Sequence, residues 1–294
     1  MPCTFTIVDV FVDAGTGGNP LAVVFGAEHL STQDMQHIAR EFNFSETTFV
    51  LPTTREDADY RVRIFTPTKE VPFAGHPNLG TAFALLHRDN ITVPGKLCFD
   101  ELAGLVPVTF DAADDDDVEL ELRAPEPLTV GPAINIEDIA SVLSLAPADI
   151  DVQTHSPCEA SVGLPFLMCA LASESALDRA SVDAQALRAL EHTGVTADLH
   201  CYHRRADGSI EARMFAPFDG VPEDPATGSA NAALVALLTQ HAARDGKFEF
   251  AIRQGFAMGR PSRLRARTER REGQVSQVFI GGRCRVFATG TLRD

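Results

Sequence analysis

Arg63-Ile64-Phe65-Thr66-Pro67 returns late in the chain as Arg213-Met214-Phe215-Ala216-Pro217. A polar, proline-containing loop follows each copy, Glu70-Val-Pro-Phe-Ala-Gly75 in one and Gly220-Val-Pro-Glu-Asp-Pro-Ala-Thr-Gly228 in the other, and an apolar helix follows each loop. Farther on, Gly95-Lys96-Leu97-Cys98-Phe99 is answered by Gly246-Lys247-Phe248-Glu249-Phe250. The offset stays at 150–153 residues and the order is kept, which marks two copies of one supersecondary unit.

The helices of the repeat, Pro77 to Leu86 and Ser229 to Leu238, are apolar nearly all round, and a helix without a polar face must be enclosed. Short alternating segments surround them: Phe5 to Phe11, Leu21 to Phe25, Thr47 to Leu51 and Tyr60 to Phe65 in the first half, Phe166 to Leu171 and Leu199 to Arg204 in the second. A helix opening at Ser31, with Ile38 and Phe42 on its buried face, and another over Ala180 to Glu191 complete the two halves. The pattern predicts an α+β fold in which each half rolls a mostly antiparallel sheet around a central helix. Three prolines and a glycine in Pro125 to Pro132 place the boundary, giving halves 1–125 and 126–294, with a return of the last strand to the first half left open.

The 294 residues carry 25 Lys and Arg against 41 Asp and Glu, a net charge of −16 that disfavours nucleic acid and anionic lipid as partners. The one acidic low-complexity tract is Asp114 to Asp117. Arg263, Arg265 and Arg267 alternate as on the solvated face of a strand. The longest uncharged run, Pro225 to Ala243, contains Asn231, Gln240 and His241 and does not read as a membrane span. Six cysteines without a C-x-x-C pair read as reduced core thiols, and with no signal-peptide pattern the expected compartment is the cytoplasm.

Both central helices start directly after glycine-containing loops that hold ionisable side chains, Gly75-His76-Pro77-Asn78 and Glu223-Asp224-Pro225-Ala226-Thr227-Gly228-Ser229. Proline suits the first turn at Pro77, and Thr227 or Ser229 is a natural N-cap. If an approximate two-fold axis relates the copies, both starts face one cleft, and their free N–H groups suit a small carboxylate. Glu46, between Phe44 and Phe49, could be a desolvated proton shuttle or a solvated turn residue; His76 could serve chemistry or simply bond to backbone. Other signatures fail. Gly15-Thr-Gly17-Gly18 is not a dinucleotide fingerprint, no G-x-S-x-G elbow exists, and His200 and His203 would point to opposite faces of a strand instead of sharing a metal.

The pieces Asp9-Val10-Phe11, Gly18-Asn19-Pro20-Leu21-Ala22-Val23, Phe44-Ser45-Glu46-Thr47, Gly75-His76-Pro77, Glu223-Asp224-Pro225-Ala226-Thr227-Gly228-Ser229-Ala230 and Gln254-Gly255 with Gly259-Arg260-Pro261-Ser262 resemble, in order, the PhzF family of phenazine-biosynthesis isomerases. That resemblance implies a duplicated diaminopimelate epimerase-like fold, no metal or organic cofactor, and commonly a homodimer. It also implies a cofactor-independent proton shift on a small, cyclic carboxylate substrate. Glu46 then matches the general acid/base, and His76 and Asp224 the flanking catalytic groups. Gly75, Asn19, Thr227, Gly228 and Ser229 match substrate-binding positions. Two readings stand against it: a two-base epimerase or racemase, and a non-catalytic family member that binds small acids. None of the six cysteines lies in either helix-start loop, which weakens thiol racemisation.

Overall fold

The computed structural model describes residues 2–91, 93–111 and 118–293, so the Asp114 to Asp117 tract lies outside the described residues. The chain forms two compact units, Met1–Arg123 with Gly281–Asp294, and Ala124–Ile280. Among the described residues no helix is long and apolar enough to cross a membrane.

In the first unit β1 (Thr4–Val10), β2 (Asn19–Phe25), α1 (Thr32–Phe42), β3 (Glu46–Leu51), β4 (Tyr60–Phe65) and β5 (Glu70–Val71) lead into α2 (Gly75–Asp89), followed by β6 (Gly95–Glu101), β7 (Gly104–Phe110) and β8 (Glu119–Arg123). The second unit holds β9 (Thr129–Ala133), α3 (Ile136–Val142), β10 (Cys158–Ser161), β11 (Pro165–Ala170), α4 (Glu174–Arg179), α5 (Ala184–Glu191), β12 (Leu199–Arg204), β13 (Ile210–Ala216) and β14 (Val221–Asp224). It continues with α6 (Gly228–Gln240), β15 (Gly246–Gln254), β16 (Ser262–Arg271) and β17 (Gln274–Thr291), the last running on into the first unit.

Helix crossovers leave parallel neighbours, β2 with β3 and β4 with β6 in the first unit, β11 with β12 and β13 with β15 in the second. Hairpins supply antiparallel ones, β3 with β4, β6 with β7, β12 with β13, and β15 with β16. Every residue of α2 from Gly75 to Leu86 is buried, with β1, β2, β3, β7 and β8 packed around it. In α6 the run Ala230 to Thr239 is buried against β10, β11, β15 and β16. Close approach of α2 depends on Gly80, where a Cβ would fall 2.6 Å from Leu21 and 2.8 Å from Val10.

Alternation along the strands sorts two layers of packing. On β3, Thr48 faces α2 and shares a 2.8 Å hydroxyl bond with Thr81, whereas Phe49 faces α1 and meets Phe65 edge-on. On β12, His200 faces α6, while Leu199 and Cys201 face the cluster formed with α3, α4 and α5. Helix α1 starts on a complete capping box between Ser31 and Asp34, and its fully buried residues are Met35 and Ala39; Ile38 and Phe42 pack at the edge of that stripe. The single helix expected over Ala180 to Glu191 is instead two. Asp183 accepts from the backbone N–H groups of Gln185 and Ala186, so a new helix starts there and the preceding one ends at Arg179. Arg263, Arg265 and Arg267 do lie on the exposed side of β16, opposite buried Ser262, Leu264 and Ala266.

In each unit an arginine clamps the loop that delivers the central helix. Arg63 pairs with Glu70 through two bonds of 2.7 Å, and Arg213 pairs with Glu223 through bonds of 2.8 and 2.9 Å. Arg213 also donates to the carbonyls of Leu177, Asp178 and Ala180 at the end of α4. Arg213→Ala strands Glu223 and those carbonyls, and urea unfolding should show a loss of about 3 kcal/mol, near the cost of breaking a largely buried pair. His200 gives a pH-dependent counterpart. Complete burial holds its imidazole down to about 4, against the smaller upward pull of its bond to Asn231. The unfolded chain takes up this proton near 6.5, so stability is lost as pH falls from there toward 4, by about 3 kcal/mol for this group alone. His200→Gln should flatten that part of the curve in the same experiment.

Candidate active site

Three of the residues singled out in the sequence meet within the first unit. Asn19 is the first residue of β2, Glu46 the first of β3 and His76 the second of α2. The His76 ring lies between the other two, with Nδ1 3.4 Å from Asn19 Nδ2 and Nε2 3.5 Å from Glu46 Oε2. An amide that donates to Nδ1 leaves the ring proton on Nε2, pointing at the carboxylate. Asn19 is wholly buried, His76 is 4% exposed, and the Glu46 side chain keeps 18% of its surface open. This is the arrangement of a carboxylate with one enclosed oxygen, a fixed imidazole beside it and a remaining open edge.

The enclosure of Glu46 does not come from the neighbours expected in the sequence. Phe49 lies three positions along the strand and so points to the opposite face, into the α1 cluster, while Phe44 stacks on Phe42 at 6.1 Å. The start of α2 and its His76 take their place.

The second unit gathers Asp224, Thr227 and Gln254. The Thr227 hydroxyl donates to Asp224 Oδ2 at 2.5 Å, and Gln254 Nε2 donates to the Asp224 carbonyl at 2.8 Å and to Thr227 Oγ1 at 3.0 Å. Thr227 occupies the N-cap position of α6, but its hydroxyl is engaged by Asp224 and makes no cap bond; α2, after Ala74, also lacks a side-chain cap. Gly75 and Gly228, the first residues of the two helices, are buried, and Ser229 is partly exposed. Gly255 is required beside this cluster. Its φ is +77°, and a Cβ would lie 2.4 Å from the Arg260 carbonyl and 2.6 Å from that of Pro225.

Sequence reasoning missed the depth of this cluster. Asn231 Nδ2 donates to Gln254 Oε1 at 2.7 Å and to the Thr227 carbonyl at 2.9 Å, and its Oδ1 accepts from His200 Nε2 at 3.1 Å. A buried chain of neutral polar groups therefore runs from β12 through α6 to the loop of Asp224. Gln254 was visible in the Gln254-Gly255 motif without a role, and Asn231 only as a polar interruption of an apolar helix. Among the described residues no three His, Cys, Asp or Glu side chains gather as a metal site, and His200 and His203 diverge to Asn231 and to the Leu171 carbonyl.

The phenazine biosynthesis-like protein model, PhzC-PhzF, matches residues 8–290. An uncharacterized isomerase of Mesorhizobium japonicum is 37% identical over 98% of both chains. The trans-2,3-dihydro-3-hydroxyanthranilate isomerase of Pseudomonas chlororaphis is 36% identical, again over 98% of both. Among solved structures, the PhzF-family phenazine biosynthesis protein of Bacillus anthracis superposes with a TM-score of 0.88 over all of both chains, at 23% identity. A probable proline racemase of Agrobacterium radiobacter shares the fold, with a TM-score of 0.67 at 15% identity over 99% of this chain and 93% of the other. With its family motifs in place along nearly the whole length, this chain belongs to the PhzF family of phenazine biosynthesis-like isomerases.

Proposed function

We propose that the protein shifts a proton between two carbons of a small, cyclic carboxylate, with Glu46 as the carrier and without an organic cofactor or metal. The line Asn19, His76, Glu46 carries this reading. An acid/base residue must present one open oxygen to the substrate while its other side is held, and His76 Nε2 at 3.5 Å supplies such a hold. In this scheme the Glu46 carboxylate accepts the proton from a carbon activated by a neighbouring carboxylate, enol or imine. It returns the proton to another carbon of the same molecule, so no net proton is gained or lost. His76 stabilises the charge that develops, and Asp224 orients the substrate through its polar groups. Gly75, Asn19, Thr227, Gly228 and Ser229 are proposed to bind the substrate, the helix-start glycines offering N–H groups to its carboxylate.

The duplicated diaminopimelate epimerase-like arrangement belongs to the same proposal, supported by the repeat and by the matching parallel pairs around α2 and α6. So does a homodimer, on the family resemblance. Two-base thiol chemistry finds no support, since all six cysteines are buried and lie outside both helix-start loops. The non-catalytic reading is disfavoured by the ordered Asn19, His76 and Glu46 line, which simple binding of an acid does not need.

Turnover of trans-2,3-dihydro-3-hydroxyanthranilate and of a panel of cyclic amino and hydroxy acids tests the proposal. Glu46→Gln keeps the shape of the side chain and removes the carrier, so kcat should fall at least about 100-fold while ligand affinity changes little. Near-normal turnover in that variant would overturn the role of Glu46. In deuterated water, carbon-bound deuterium in the product that persists at an unchanged rate in Glu46→Gln would assign the transfer to His76 or Asp224.

A further inference from the structure

Glu101, the last residue of β6, is a buried carboxyl that the proposed chemistry does not use. It is 7% exposed, and both of its oxygens are enclosed without a donor in hydrogen-bond distance. Asn78, wholly buried in the first turn of α2, is the side chain whose hydrogen bonding bears on Glu101, and its own Oδ1 is likewise enclosed without a donor. A carboxylate with both oxygens enclosed is a costly arrangement, and one proton on Glu101 relieves it. Asn78 Nδ2 gives one hydrogen to the Ala74 carbonyl at 3.0 Å, and Asn78 is the one donor that acts on Glu101.

The second unit shows what such a position does. Asn231 Nδ2 donates to the Thr227 carbonyl just as Asn78 does to Ala74, and Gln254 stands against Asn231. Asn78 and Asn231, Ala74 and Thr227, and Glu101 and Gln254 are each separated by 153 positions. Strand pairing gives the same match independently: Arg61 lies opposite Asp100 in the β4–β6 pair, as Glu211 lies opposite Arg253 in the β13–β15 pair, so the next residues on the latter strands are Glu101 and Gln254. Glu101 thus occupies the place of an amide.

We propose that Glu101 is a positioning residue that works as a carboxylic acid, the first-unit equivalent of Gln254: it stands against Asn78 as Gln254 stands against Asn231, and in its protonated form it braces the start of α2, where Gly75 and His76 stand. The hairpin that carries it is tied to the same loop by the Ala103 N–H, which donates to the Pro72 carbonyl at 3.1 Å. Burial pushes the Glu101 carboxyl up to about 8, against a smaller downward pull from the Asn78 side chain as a donor. No charged group contributes to that displacement. Its chain neighbour Asp100 turns to Thr53 and Arg55, and Glu70, in the nearby loop, is engaged by Arg63.

The acid form is tested without a substrate, by comparing thermal unfolding of the wild type, Glu101→Gln and Glu101→Leu from pH 5.5 to 9.5. A carboxyl near 4.5 in the unfolded chain and near 8 in the folded one favours folding below that interval and loses this advantage as pH rises through it. The wild-type Tm should therefore fall by several degrees relative to Glu101→Gln across the range and level off above about 8. A constant difference between the two would overturn the acid form. Positioning is read from the ring signals of His76 in NMR spectra: Glu101→Leu should displace them and Glu101→Gln restore them. Equal displacement in both variants would overturn it, and if the leucine variant does not fold, a displaced His76 in Glu101→Gln at pH 6 does the same. The link from helix start to turnover rests on the function proposed above. Failure of that function would appear as an absence of turnover in the wild type, with these two readouts unaffected.

Discussion

Enclosing a helix that has no polar side governs the rest of this structure. A buried helix satisfies its own backbone everywhere except at its ends, and at the start of α2 and of α6 the first N–H groups and the preceding loop must be held by something other than water. A charged side chain at such a place carries a far larger desolvation cost than an amide or a hydroxyl. Asn78 and Asn231 therefore reach back to the carbonyl four residues earlier, and Gln254 ties Asn231 to Thr227 and to the Asp224 backbone. The two helix starts lack side-chain caps, α2 because its cap position is Ala74 and α6 because the Thr227 hydroxyl is engaged by Asp224.

The charges needed to fasten each loop sit one step away. Arg63 with Glu70, and Arg213 with Glu223, are two-pronged pairs at partly buried positions, where the guanidinium also rests on Phe65 or Phe215 of its own strand. Such a pair fixes direction better than a single bond, since a planar fork and a carboxylate match in one relative orientation. Strong electrostatics thus set the course of the loop from outside, and neutral groups finish it where water is excluded. Division of labour of this kind explains why the repeat is most visible in the sequence at Arg63 and Arg213, although neither arginine is proposed to touch a substrate.

Much of this was readable from residue order. The repeat, the absence of a polar face on both central helices and the strands at Tyr60–Phe65 and Leu199–Arg204 follow from hydrophobic period and spacing, and Glu46, His76 and Asp224 stood out as ionisable groups at the ends of apolar elements. Other features depended on three-dimensional register. Phe49 lies near Glu46 in sequence, but the two-residue period of a strand turns it to the opposite face. The break between Arg179 and Ala184 turned on Asp183 acting as a cap, where a continuous helix was equally compatible with the apolar spacing. Asn231, Gln254 and His200 carry no signal alone, since a buried amide or imidazole becomes meaningful only through the partner that a distant strand brings to it.

The two units solve the same bracing problem with different chemistry, and the difference bears on the side chain each helix start presents. In the second unit Gln254 supplies both donor and acceptor permanently, so the brace does not depend on pH, and Asp224 can keep the Thr227 hydroxyl as its donor. In the first unit the corresponding side chain is Glu101, whose donor exists only while the carboxyl holds its proton. The residue following Gly75 is His76, directly beside Glu46, whereas the residue following Gly228 is Ser229, which cannot titrate. Ionisable groups with enclosed polar atoms are thus concentrated at one of the two equivalent helix starts. On the function proposed above, that start holds the proton carrier and the other is left with groups suited to binding.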